Sequence, residues 1–414
     1  MNNLDRRQFL VATGGLAAVA ILPEFAPAMP RFADPLKVGL VGCGKQGRAI
    51  LAELAKMDQA VTVVAVCDTD ATRLQSAKGR APGSEGYATH KEMLDKAKGL
   101  SAVIIATPSH MHREPAVDCA AAGKHVYCEG PLATTVEDAR AIAKAAGSGG
   151  GGSKTIFAVG HEGRSNPVYG LARSFFKTDA FKDMAAMRTH YAQKTSWRVA
   201  ASDSAREAVL NWRLDKAVST GLIGEIISHQ LDVLHWYRGK QPVSVRASGG
   251  VRLHTDGREV ADTVHVDFVF EDGAHATSFA TLANSYEGKY ELFQGSASAI
   301  KLAWTHGWMF KESDAPTQGW EVYANRQPFH TDTGITLIAD ATQLASQGKL
   351  KDGVGLQQTP LYYALENFIK ATASGKPAAC TAEEGFKTAV VMLAACKALS
   401  EGKEAVIDMA SLKV

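Results

Sequence analysis

A chain of 414 residues, 46% hydrophobic and 21% charged, can bury a large core and divide into two or three domains. Its 45 basic and 43 acidic residues leave a net charge of +2, with no long basic run. That balance excludes the electrostatic footprint of a nucleic-acid binder and makes a small polar ligand the expected partner.

The first segment reads as an export signal. Arg6-Arg7 precedes Phe9-Leu10, an apolar stretch from Val11 to Leu22, and Ala26-Pro27-Ala28. Charge, apolar run and a small-residue cleavage site in that order predict a twin-arginine signal peptide over 1–28, followed by an arm over 29–36. The apolar stretch is too short and glycine-rich to span a bilayer. The expected location is the periplasm, with no stable membrane insertion after cleavage. The twin-arginine route carries folded proteins, which suits a chain that takes up a bulky cofactor before export. Six cysteines without a CxxC pair are expected to be buried free thiols.

Over 37–160 the chain alternates. "LKVGLVG", "VTVVAVCD", "SAVIIATP", "HVYCEG" and "KTIFAVG" are short apolar strands. Between them "RAILAELAKM", "HKEMLDKA", "EPAVDCAAAG" and "TVEDARAIAKAAG" have helical spacing, the last with Thr135 as its cap. Fully apolar strands alternating with helices predict a parallel sheet covered on both faces. "GSGGGGS", residues 147–153, reads as a flexible loop. From 161 to 414 the pattern changes. "VSVRASGG", "DTVHVDFVFED", "AHATSFATLA", "KYELFQGS" and "AIKLAW" are longer strands joined by short turns. They predict an open, mainly antiparallel sheet. Two helices, "LYYALENFIKATASG" and "AEEGFKTAVVMLAACKALSEG", each end at a glycine. The fold class is therefore α/β: an N-terminal Rossmann domain, then a C-terminal α/β domain for substrate binding and oligomerisation.

"VGLVGCGKQGRAIL" places Gly42, Gly44 and Gly47 in a GxGxxG spacing, with Lys45 and Gln46 between. The motif follows a strand, opens a helix, and precedes a strand that ends at Asp68, 26 residues after Gly42. That context is a dinucleotide fingerprint. Free N–H groups at the helix start face the pyrophosphate. Asp68 would accept hydrogen bonds from the adenosine ribose and repel a 2′-phosphate, so the expected cofactor is NAD. Thr107, Pro108 and Glu129 end strands at the carboxyl edge of the sheet, where ligands of such sheets bind. His112 and Gly130 complete the expected cofactor contacts.

With GxGxxG, Asp68, "ATPSHMHREPAVDCAAAGKHVYCEGPLA" and a later antiparallel domain, the chain resembles the Gfo/Idh/MocA oxidoreductases from about Lys37 onward. The resemblance implies NAD-dependent chemistry on a carbohydrate and a homodimer or homotetramer. Members usually carry Glu-Lys-Pro where this chain has Glu129-Gly130-Pro131, the lysine lying by the nicotinamide. A second family pattern matches "GEIISHQLDVLHWYRG", which implies His229 as acid/base, with Asp232 three residues on sharing its helix face. Family members often have an aspartate where this chain has Glu225. His235 reads as structural. Lys194 is a candidate for the missing ammonium group. Arg164, Tyr191, Trp197, Asn211, Trp212 and Arg213 are the candidate substrate contacts, because tryptophan faces beside polar donors suit a sugar ring. No metal site is expected.

The leading expectation is an NAD-dependent oxidoreductase acting on a secondary hydroxyl of a sugar or glycoside, its cofactor tightly bound. The alternatives are an NAD-dependent glycosidase working by transient oxidation and elimination, and a non-catalytic carbohydrate- or NAD-binding protein.

Overall fold

The computed structural model describes residues 34–148, 155–319, 321, 326–328, 333–337 and 355–414. The signal segment, most of the arm and most of the glycine-rich loop lie outside the described residues.

The first sheet has six parallel strands. In chain order they are β1 (Leu36–Val41), β2 (Val61–Cys67), β3 (Glu85–Tyr87), β4 (Ala102–Ile105), β5 (His125–Glu129) and β6 (Phe157–Gly160), and in space β3-β2-β1-β4-β5-β6. The order reverses between β1 and β4, which opens a crevice at their carboxyl ends. The helices are α1 (Lys45–Leu54), α2 (Ala71–Arg80), α3 (His90–Lys96), α4 (Arg113–Ala121) and α5 (Val136–Ser148). Each alternating segment expected from the pattern is present. Thr135 does cap α5, its hydroxyl accepting the Asp138 N–H at 3.1 Å. Helix α2 and strand β3 are additions. The α2 segment is mostly polar and exposed, so apolar spacing does not reveal it, but the Asp70 carboxylate caps it through the Thr72 and Arg73 N–H groups.

Beyond α6 (Pro167–Phe176), β7 (Met184–Ala192), α7 (Ser204–Leu210) and α8 (Ser228–Arg238), the chain builds the second sheet. Among the described residues it has ten strands and is antiparallel except where β10 (His275–Thr281) runs parallel to β7. Strands β8 (Ser244–Gly250), β9 (Thr263–Val269), β11 (Lys289–Gly295) and β12 (Ser298–Leu302) match the expected runs. Of the two C-terminal helices, α9 (Pro360–Ser374) returns to the first sheet. Its Leu365, Phe368 and Ile369 pack with Val38, Leu40 and Ile104. Helix α10 (Ala382–Glu401) buries Phe386, Val391 and Met392 in the larger core, against both β6 and α8. Both helices stop at a glycine of positive φ, Gly375 and Gly402. All six cysteines are free and five are buried. No described helix is long and apolar enough to cross a membrane.

Candidate active site

The β1–α1 turn is shaped by its glycines. Gly42 has φ +94°, and a Cβ there would meet the Ala106 carbonyl at 2.6 Å. A Cβ on Gly47 would stand 2.0 Å from the Gly42 oxygen, so α1 packs directly on the turn. Gly44 faces open space, with nothing within 4 Å of a built Cβ, and Lys45 is exposed beside it. The mouth of α1 therefore remains open, its first N–H groups turned outward. Asp68 is held in place by the Cys43 N–H at 2.7 Å and the Asp70 N–H at 2.8 Å. The Thr107 hydroxyl is buried without a partner at the end of β4. An open helix start, a fixed carboxylate and an orphaned hydroxyl in one crevice fit an adenine dinucleotide.

The Asp68 carboxylate should set cofactor choice. Placing it against a 2′-phosphate costs roughly 1–3 kcal/mol, about ten- to a hundredfold in affinity. Titration with each cofactor should show that preference for NAD, and Asp68→Ser should narrow it. Equal affinity in the parent protein would overturn the assignment.

Three expected cofactor contacts are redirected by the structure. His112 is buried, with Nε2 3.0 Å from the Thr107 carbonyl and Nδ1 within 3.2 Å of the Pro131 and Leu132 carbonyls. Only the Nδ1 side faces the β5 loop, so an N–H there ties the β4 loop to it, while Nε2 faces the carbonyl of its own loop. Gln46 donates to Glu129 Oε1 at 3.0 Å, so these two side chains join α1 to β5. Burial, with Glu162 nearby, pushes the Glu129 carboxyl up to about 8, against the pull of Gln46 and the Gly130 backbone. A strand can end on this lone carboxyl because burial favours its neutral, protonated form and the Gln46 amide donates to it.

The next residue is Gly130, joined to Pro131 by a cis peptide bond. A Cβ on Gly130 would lie 3.0 Å from the His161 ring and 3.3 Å from His229 Cε1. His229 thus comes to the end of β5. Burial holds its imidazole well below the ordinary value, His161 and Lys289 acting in the same direction. It is neutral at neutral pH and able to accept a proton.

Asp232 does not orient His229. It is fully buried, and Arg164 grips it with Nε at 2.8 Å and a terminal nitrogen at 2.9 Å. Thr388 Oγ1 adds a third bond at 3.1 Å, and Arg164 also reaches Glu384 at 2.8 Å. An aspartate on the same helix face as a histidine can satisfy a different partner, and a bidentate guanidinium is the stronger one. Arg164 is accordingly a buried clamp between the β6 loop, α8 and α10, and not a substrate contact. His235, also buried, lies 3.4 Å from Thr388 Oγ1, a structural position.

The remaining candidates divide. Asn211 is buried, and both ends of its amide bind the Val199 backbone, at 2.7 and 2.9 Å, so it pins a loop and is not free for substrate. Lys194 is exposed, and its ammonium has no partner among the described residues; only its backbone N–H is engaged, by Ser285. The structure does not bring it to His229. The Tyr191 hydroxyl donates to Gln193 at 2.6 Å, and Trp197 packs against the core with φ +60°. Trp212 and Arg213 are joined to the first domain. The Trp212 ring meets His110 with centroids 5.5 Å apart, and the Arg213 guanidinium stacks over Trp212 at 4.4 Å. Arg213 Nε donates to one Glu225 oxygen and Ser109 Oγ to the other, both at 2.7 Å. Glu225 sits in a π turn, Ile223–Ile227, just before α8. Here the glutamate latches the two domains across the crevice, and an Arg206–Asp70 ion pair does the same nearer Asp68.

Three residues escaped sequence reasoning. His161 and Glu162 directly follow β6, in "GHEGR", where a signal existed: polar residues at the carboxyl end of an apolar strand. Lys289 begins β11 two residues before the buried Glu291, so it shares that strand's inner face. Its ammonium lies 3.2 Å from the centroid of Trp304. Burial pulls it down to about 8, opposed by Glu291 and Glu162. Glu162 is itself raised to about 6, by burial, with Lys289 opposing. Trp304 is held from behind, its indole N–H donating to Glu291 at 3.2 Å and its carbonyl accepting from Asn166 at 2.6 Å.

Comparison with known proteins identifies both domains. Residues 36–152 match the description "Oxidoreductase family, NAD-binding Rossmann fold", and residues 183–300 match the "GFO/IDH/MocA C-terminal domain". Levoglucosan dehydrogenase of Pseudarthrobacter phenanthrenivorans is 28% identical over 212 residues, 50% of this chain and 52% of that protein. The match thus spans about half of that relative's length. Inositol 2-dehydrogenase 2 of Saccharopolyspora erythraea is 24% identical over 378 residues, 91% of this chain and 96% of that one. A solved levoglucosan dehydrogenase, in complex with NADH and L-sorbose, superposes with a TM-score of 0.72. It is 22% identical and covers 91% of this chain and 99% of its own, a likeness of fold.

Proposed function

The chain belongs to the Gfo/Idh/MocA oxidoreductase family, and from that premise we propose that it is an NAD-dependent oxidoreductase acting on a secondary hydroxyl of a sugar or glycoside. The observation that carries this reading is the meeting of a neutral, largely enclosed His229 with the end of β5, at the crevice that fits the dinucleotide. Gly42, Gly44, Gly47, Asp68 and Thr107 would hold NAD, whose nicotinamide, when bound, accepts a hydride. This chain's own part is then to seat the hydroxyl carbon, exclude water and remove one proton. His229 takes that proton. The Lys289 ammonium, seated over the buried Trp304 ring, supplies a donor for a sugar hydroxyl. The relatives' names support a sugar or cyclitol substrate. The test is a panel of sugars, cyclitols and glycosides, with formation of NADH and release of aglycone both followed. NADH formed with a secondary alcohol substrate is expected. Aglycone released with no net NADH would replace this reading by redox-neutral glycoside cleavage.

The same proposal includes export with NAD already held, since free NAD is scarce outside the cytoplasm. Arg6→Lys with Arg7→Lys should leave uncleaved precursor in the cytoplasm, and unchanged export would refute it. Assembly as a homodimer or homotetramer through the open face of the second sheet belongs to this reading too. A monomer mass by light scattering at micromolar concentration would count against it.

A further inference from the structure

His161 is 2% exposed, yet neither ring nitrogen has a hydrogen-bond partner. An imidazole carries at least one N–H in every protonation state, and a buried donor left unpaired is costly. The ring's position is well defined. It stands edge-on to His229, with centroids 5.1 Å apart and planes at 80°. A Cβ on Gly130 would touch its Cε1 and Nδ1, each at 3.0 Å. The two rings and the Gly130 backbone therefore meet at the end of β5. A side chain at position 130 would have to enter the room that His161 fills. The charged groups whose field acts on His161 are Asp232 and Arg164, and they are committed to each other. Neither is free to satisfy it.

We propose that His161 is a second substrate-contacting imidazole, whose N–H donates a hydrogen bond to the oxygen whose proton His229 accepts. This rests on the oxidoreductase reading above. In the forward step the substrate O–H bond breaks and its proton goes to His229. The C–H bond on the same carbon breaks with its electron pair leaving as hydride to oxidised NAD, and the carbonyl double bond forms. His161 keeps its own proton throughout. Its bond strengthens because charge on the oxygen grows as the O–H bond breaks, which is where a fixed donor helps most. Burial and Arg164, outweighing Asp232, keep His161 below its ordinary value, so it donates as a neutral ring and adds no limb of its own to the pH profile near neutrality.

The test uses the NAD-loaded full chain. His161→Phe keeps the ring shape and removes both nitrogens; His161→Gln returns one donor. The phenylalanine variant should keep its NAD affinity and melting temperature, and lose about 10²- to 10³-fold in turnover. The glutamine variant should recover part of that loss, and in both the acid limb set by His229 should move to higher pH, because His161 no longer helps to hold that imidazole down. A phenylalanine variant within about twofold of parent turnover would overturn the contact. So would a glutamine variant no better than the phenylalanine one, since the loss would then not follow the missing donor. A parent protein that neither turns over nor binds any member of the sugar panel overturns the functional reading, and this inference with it. A parent that turns over while His161→Phe matches it overturns this inference alone.

Discussion

His229→Ala is expected to lower turnover about 10²- to 10⁴-fold, the usual cost of removing a positioned general base. NAD affinity should be retained, because no adenosine or pyrophosphate contact passes through this helix. The sign of the pH dependence follows from the ring's surroundings. Burial, His161 and Lys289 hold the imidazole well below its ordinary 6.5, and Asp232 and the Gly130 backbone only partly offset them. The parent's kcat/KM should therefore stay high through neutral pH and fall only on acidification below that ordinary value. Steady-state rates across pH, with NAD binding followed by fluorescence, check both parts. Near-parent turnover in the alanine variant would remove His229 from the chemistry.

Asp232→Ala should act on stability before it acts on rate. Arg164 is buried and gives up water for Asp232 and Glu384, and Glu384 is partly exposed. Removing the aspartate leaves a buried guanidinium without its main counterion, which costs about 3–5 kcal/mol. Such a loss is a large part of a typical domain's net stability. Thermal or urea unfolding should show it directly, and NAD should restore only what its own affinity contributes. The pH dependence has a definite sign as well. Arg164 holds the Asp232 carboxyl below its ordinary 3.8 against the effect of burial. Its contribution is thus present above that unfolded value and is lost as pH falls through the lower, folded one. If Asp232→Ala keeps parent stability but loses turnover, the carboxylate serves the chemistry and the clamp assignment is wrong.

The contrast between these two residues explains how far sequence alone could reach. His229 and Asp232 share one face of α8, and helical spacing says so without a structure. What spacing cannot say is which partner wins the carboxylate. Arg164 is 68 residues away in sequence and Thr388 is 156, and only the packing of the β6 loop and α10 onto α8 brings them in. The same holds for Asn211, whose polar amide reads as a ligand until it is found satisfying the Val199 backbone.

Local chemistry was enough for the apolar strands, the helix-ending glycines, the GxGxxG turn and Asp68. Each of these depends on a few neighbouring residues: alternation, a positive φ, a helix start after a strand. Tertiary structure alone decided that α9 returns to the first sheet, that Glu225 latches the domains through Ser109, and that His161 fills the room beside Gly130. Those outcomes turn on which surfaces meet after distant segments collapse together, and on which buried donors then find acceptors. Hydrogen bonding and burial are settled by three-dimensional neighbours, and the linear order of the chain carries only part of that information.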